Sequence, residues 1–250
     1  MIIFRHILIF VICFILALLT YKRGLLNLDG ALTAFFLGLI IGFQGNITLI
    51  ILLLIFLLSA FLATRYKFNY KKKIDSQEGF KGERGWTNVL ANGIVPVSVL
   101  LLSQSGNLIS IGFLKYEYTM ILFVLSVAAA ASDTLASEIG MASDKVYLIT
   151  TFKRVRPGTN GGISLYGEIW AFIGSFYTFG VAYLLFQLEN SVIFNPQIIL
   201  LGTAFGFISC QIDSVLGATL EREGILNKSL VNLLSISITV SIFGGLIYVW

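Results

Sequence analysis

The sequence predicts an all-α, polytopic membrane protein of about eight transmembrane helices, one integral membrane domain over residues 1–250, with both termini outside. Three observations predict it. Hydrophobic residues make up 57% of the chain and charged ones 12%, against roughly 25% charged in an ordinary soluble domain. Apolar runs recur that approach the about 20 residues needed to cross a bilayer. Finally, the basic residues alternate between loops, as they do when loops alternate between the two sides of a membrane.

The spans fall near 2–20, 30–44, 46–63, 87–103, 118–142, 164–187, 197–220 and 229–249. The first is apolar from Ile7 to Thr20 and is followed by Lys22 and Arg23. The second is short, and its small residues between Gly30 and Gly38 suit close helix packing. It shares a tight turn at Gln44–Asn46 with the third. The fifth carries the alanine run 128–131, and the sixth follows a glycine-rich loop. Loops one, three, five and seven hold two, seven, four and two Lys/Arg; loops two, four and six hold only Lys115, and Arg5 is at the N-terminus. That division places the odd loops in the cytoplasm of a multi-pass cell-membrane protein. Among the acidic residues, only Glu117 and Glu189 fall in outer loops. Polar chemistry is therefore concentrated on the cytoplasmic side.

Several site classes drop out. His6 is the only histidine, and Cys13 and Cys210 both lie in apolar runs, which suggests buried thiols and not a metal cluster. Neither a GxxxxGK[ST] loop nor a GxGxxG turn after a strand is present. Nothing points to nucleic acid as a partner.

What remains is a set of groups at the inner face. Asp133 stands at the end of an apolar helix, where a carboxylate costs roughly 2.5–3.5 kcal/mol to insert and by default marks a cavity or partner. Asp213 is its match. Each lies fifteen residues from the outer start of its helix, or about 22 Å at 1.5 Å per residue. Each also precedes a hydroxyl residue, Thr134 or Ser214. Two carboxylates at one depth suit Mg²⁺, which takes a few carboxylates together with substrate phosphates. Glu138 points about 140° away from Asp133 around the helix.

The fifth loop supplies Lys153, Arg154 and Arg156, then Gly158-Thr159-Asn160-Gly161-Gly162, then Ser164 near a helix start. Glycines let backbone N–H groups face an anion, and cations with a helix N-terminus favour phosphate. The alternative reading is an ordinary positive-inside loop with a glycine turn. Asn88 and Asn92 share a helix face at the inner end of the fourth span and can bind a ligand or join helices. The Lys71–Lys73 run reads as a lipid-headgroup contact.

Four stretches resemble the plastid phytyl-phosphate kinase family: Gly85-Trp-Thr-Asn-Val-Leu-Ala-Asn92-Gly, Ser132-Asp-Thr-Leu-Ala-Ser-Glu-Ile-Gly140, Arg156-Pro-Gly-Thr-Asn-Gly-Gly-Ile-Ser164 and Asp213-Ser-Val-Leu-Gly-Ala-Thr219. The family is more distantly similar to dolichol kinases and CDP-diacylglycerol synthases, which use CTP with Mg²⁺. The resemblance implies a kinase converting an isoprenoid monophosphate, such as phytyl or geranylgeranyl phosphate, to the diphosphate. CTP or another nucleoside triphosphate would be the co-substrate. Asp133 and Asp213, helped by Glu138, would hold Mg²⁺. Lys153, Arg154, Arg156 and the Gly158–Gly162 amides would hold phosphates. Where the distant relatives carry a lysine and a glutamate, this chain has Gly-Thr-Asn-Gly-Gly. The rival expectations are a cytidylyltransferase acting on a lipid phosphate and a lipid transporter or flippase. The expected partners are the bilayer, the isoprenoid phosphate and the nucleotide, with room left for a homo-oligomer.

Overall fold

A computed structural model describes residues 2–74, 76–105, 115–190 and 193–249. Its helices are α1 (Ile2–Lys22), α2 (Leu28–Gln44), α3 (Ile47–Arg65), α4 (Phe68–Lys73), α5 (Trp86–Ser105), α6 (Tyr116–Gly140), α7 (Leu165–Leu188), α8 (Pro196–Leu216) and α9 (Lys228–Val249). Seven of them are long and apolar enough to cross a membrane, and α2, at 17 residues, is shorter. The chain is a multi-pass integral membrane protein.

Local signals start these helices. Asn27 caps α2, Asn46 caps α3 and Asn195 caps α8, each accepting a bond from an N–H in the first turn. Such a cap is worth about 1 kcal/mol, because the first N–H groups of a helix have no partner within it.

The core is built around α6, which is buried over nearly all its length. A helix apolar on every side belongs at the centre of a bundle. Its alanines let α7 and α8 approach closely. A Cβ on Gly174 of α7 would lie 2.7 Å from the Ala131 carbonyl oxygen, and one on Gly206 of α8 would lie 3.4 Å from the Ala128 Cβ. The run of small residues thus sets how near the carboxylate-bearing helices stand.

Two features depart from the expected string of helices. A short helix, α4, interrupts the third loop. The fifth loop forms a small antiparallel sheet in the order β2-β1-β3, from β1 (Val146–Leu148), β2 (Arg154–Val155) and β3 (Gly162–Ile163). Strands of two or three residues leave no readable alternation in hydropathy. In β1, Val146 and Leu148 turn inward while Tyr147 faces out.

Candidate active site

Both conspicuous aspartates face one cavity of about 340 Å³. That volume falls in the usual range for small-molecule sites. Asp133 and Ser137 reach it from α6, Glu168 from α7, and Asp213, Ser214 and Cys210 from α8. Lys228 and Asn232 complete it from α9, with Ser76 and Gln77 from the third loop. Asp133 and Asp213 thus face the same space from two different helices. Asp213 Oδ2 accepts from Ser235 Oγ at 3.2 Å and, with the Asn232 amide turned so that its nitrogen faces the carboxyl, from that amide at 3.2 Å. Hydroxyl and amide donors thus hold Asp213 in place.

The glycine loop closes the cavity. Gly158, Thr159, Asn160, Gly161, Gly162 and Ser164 all line it. Gly161 has φ +73°, and a Cβ there would stand 2.4 Å from the Ala218 Cβ. Only glycine combines that left-handed backbone with so close an approach. Its contact is the π-helical turn Gly217–Glu221 that extends α8. Gly158 has φ +83°, and a Cβ there would meet Ser76 Oγ at 2.2 Å. The loop is thereby seated between the end of α8 and the third loop.

Several expectations need correction. Lys153, Arg154 and Arg156 are exposed and do not line the cavity. The β1–β2 hairpin turns this segment outward, and Arg154 donates to the Asp144 carbonyl. The loop amides are partly used up. Thr159 N–H donates to the Arg156 carbonyl and Gly162 N–H to the Thr159 carbonyl. At most those of Gly158, Asn160 and Gly161 are left for an anion. The Ser164 hydroxyl caps α7, accepting from Gly167 N–H at 3.1 Å.

Glu138 is not in the cavity. It is 3% exposed and pairs with Lys71 at 2.6 Å. Lys71 is itself fully buried and also donates to the Ala63 and Thr64 carbonyls at 2.8 and 3.1 Å. It therefore locks α4 to the end of α3 and to α6, and it does not touch lipid headgroups. Asn88 and Asn92 line a different, mostly apolar cavity.

Lys228 is the cation that sequence reasoning missed. It pairs with Glu78 Oε2 at 3.1 Å, across 150 residues of chain. Its side chain is 61% exposed while that of Glu78 is 20% exposed. Burial alone would raise the Glu78 carboxyl. Lys228 and Arg84 outweigh it and hold the group below its ordinary value.

Four carboxylates, Asp133, Glu168, Asp213 and Glu221, line the cavity with the one ammonium of Lys228. Among the described residues, no group of three or more His, Cys, Asp or Glu is placed to hold a metal ion. The donor set nonetheless fits Mg²⁺, which is commonly held by one or two carboxylates and completes its shell with water and substrate phosphate. With four carboxyl groups to one ammonium, the cavity would repel an anion that arrived without a cation.

The family model described as "Integral membrane protein DUF92" matches residues 11–240. An uncharacterised membrane protein of Methanocaldococcus jannaschii is 36% identical over 241 residues, covering 96% of this chain and 92% of its own. Protein PGR of Arabidopsis thaliana is 31% identical over 243 residues, covering 88% of this chain and 81% of its own. The chloroplastic Protein VTE6 of the same plant is 31% identical over 222 residues, 85% of this chain, which spans 62% of that protein's length. No solved structure matches.

Proposed function

The chain belongs to the DUF92 family of integral membrane proteins, and from that premise we propose that it is a nucleoside-triphosphate-dependent isoprenoid-phosphate kinase. One observation carries the reading: two aspartates from separate helices meet in a cavity with a glycine loop and one lysine. The resemblance to phytyl-phosphate kinases supplies the substrate class, an isoprenoid monophosphate, and CTP as the first nucleotide to try. The basic odd loops support a cytoplasmic side for the cavity.

In this reaction an oxygen of the lipid monophosphate attacks the terminal phosphorus of the triphosphate. The bond from that phosphorus to its bridging oxygen breaks, and the nucleoside diphosphate leaves with the electron pair. The attacking phosphate is already ionised, so no strong base is needed. Phosphoryl transfer depends mainly on positioning and on neutralising charge. Asp133 and Asp213 would hold Mg²⁺, with the Ser214 hydroxyl beside them. A divalent ion held by these residues would supply neutralisation of charge on the phosphate oxygens. Ser235 and Asn232 fix the Asp213 carboxyl. The glycine loop orients phosphates through the amides it has left, and Lys228 supplies the positive charge that the hairpin cations do not.

The test uses the purified full chain with labelled CTP or ATP and a panel of isoprenoid monophosphates. A labelled isoprenoid diphosphate is expected, and Asp133→Asn should lower turnover at least 100-fold, the scale of losing a group that acts only in the transition state. A CDP-lipid product would overturn the kinase reading in favour of cytidylyl transfer. Full turnover by Asp133→Asn would overturn the site.

A further inference from the structure

A second cavity, of about 140 Å³, lies between α1, α2, α3 and α5. Its walls are apolar along most of their length, including Leu16, Phe35, Leu53 and Leu57. Its polar groups gather at one end. Thr20 is in the last turn of α1, Arg84 precedes α5, and Asn88 and Asn92 are in its first two turns. These are the ends of the helices nearest the carboxylate cavity. The opposite end is lined by Ile41 and Ile50, near the α2–α3 turn. The cavity is therefore a slot along the helices, greasy at one end and polar at the other.

Arg84 gives the polar end its sign. The residue is 5% exposed, its Nε has no partner among the described residues, and one of its Nη atoms donates to Thr64 Oγ1 at 3.3 Å. Among the described residues no carboxylate lies within salt-bridge distance of it, since the two ion pairs are those of Lys71 and Lys228. A buried guanidinium with an unused donor is matched by a ligand carrying an anion.

A polar thread joins the two cavities. Asn92 donates to the Asn88 carbonyl, Asn88 Nδ2 reaches Glu78 Oε1 at 3.5 Å, and Glu78 holds Lys228, which lines the carboxylate cavity. An anionic head at the end of the slot thus stands beside the proposed phosphoryl-transfer site.

We propose that this slot is the tail site of the lipid substrate, taking a segment of an isoprenoid chain between α1, α2, α3 and α5 while its monophosphate sits between Arg84 and Lys228. The inference rests on the kinase reading above. The size favours a single narrow chain over a two-chain phospholipid, since an apolar cavity of about 150 Å³ takes one benzene-sized molecule. The rest of the chain extends into the bilayer. The polar end leads to the carboxylates, as a substrate's reacting phosphate requires.

Two variants test it in the full chain. Ala34→Phe and Ala17→Leu each fill the slot from a different helix, and the one whose melting temperature stays closest to the parent is used. The KM for a C20 isoprenoid monophosphate is expected to rise about tenfold, with the KM for a C5 monophosphate and for the nucleotide changing less than twofold. Arg84→Gln should raise the lipid KM at both chain lengths. An isoprenoid monophosphate bearing a terminal diazirine should label peptides of α1, α2, α3 or α5 in the parent and lose that labelling in the filled variant. Labelling confined to α6–α9, or an unchanged chain-length profile in the filled variant, would overturn the tail site. If the parent protein turns over no isoprenoid phosphate, the kinase reading fails, and the diazirine labelling alone still decides whether the slot takes the chain.

Discussion

The Lys71–Glu138 pair makes a sharp stability prediction, because both charges are almost wholly out of water, with side-chain exposures of 1% and 4%. Two ions so placed persist only if each satisfies the other and the remaining donors find acceptors. Here the ammonium has three acceptors, Glu138 Oε2 and the Ala63 and Thr64 carbonyls, at 2.6, 2.8 and 3.1 Å. Removing one partner leaves the other charge buried and alone, which costs about 3–5 kcal/mol. Glu138→Gln keeps the shape and removes the charge, so it isolates that term. Removing both charges in Lys71→Met/Glu138→Gln leaves no buried charge without its partner, and this double variant should be more stable than either single one. The assay is an unfolding titration in mixed micelles for the four proteins of the cycle. A Glu138→Gln protein with unaltered stability but no turnover would refute the reasoning and return Glu138 to the catalytic set.

Four further outcomes are expected. Gly161→Ala places a Cβ 2.4 Å from the Ala218 Cβ at φ +73°, so turnover should fall at least tenfold with a lowered melting temperature; unchanged kinetics would mean that the loop does not bear on the site. Neutralising Lys153, Arg154 and Arg156 together should leave the nucleotide KM within about twofold, since none lines the cavity, whereas Lys228→Met should raise it at least tenfold. Because the Glu78 carboxyl is held below its ordinary value by Lys228 and Arg84, against the effect of burial, the stability it contributes is present above the unfolded carboxyl pKa of about 4.3 and is lost as the pH falls through the lower folded value; the stability difference between parent and Glu78→Gln should therefore be flat from pH 6 to 8 and shrink below about pH 4. Chelation should weaken binding of a non-hydrolysable nucleotide to the parent at least tenfold, while in chelator Asp133→Asn should bind it more tightly than the parent, since the substitution removes a like charge from the cavity.

Much of the fold was legible because the membrane imposes one rule on the whole chain. Each apolar run had to be a helix, and the basic residues marked which loops share a side. The aspartates were legible for the same reason: a carboxylate in an apolar helix stands out, and equal distances from the outer ends put both at one depth. Lys228 was hidden by that very rule, since a lysine at an inner helix end is what positive-inside loops contain anyway. The Lys71–Lys73 run misled in a related way. Successive helical residues point about 100° apart, so three adjacent lysines cannot share a fate once α4 forms, and Lys71 turned inward. The hairpin cations lay next to the glycines in sequence, yet pairing of β1 with β2 carried them away from the cavity. Proximity along the chain had stood in for proximity in space.

The charges of the cavity bear on more than the metal. Its carboxylates outnumber its ammonium four to one, which is the reverse of what a site for a free phosphate would carry. A lone basic loop would attract any anion in solution. An acidic cavity behind that loop admits an anion only when it arrives with a cation that more than repays the repulsion, and a nucleoside triphosphate chelating a divalent ion meets that condition better than inorganic phosphate does. The proposed lipid slot has the opposite arrangement: buried Arg84 makes no direct ion pair among the described residues, its charge acting on Glu78 from a distance, and it would offer a donor to a bare monophosphate. The two cavities thus differ in the sign of charge they lack. On the proposed kinase reading, that difference would seat the cation-bearing donor in one and the lipid acceptor in the other, with Glu78 and Lys228 at the boundary between them.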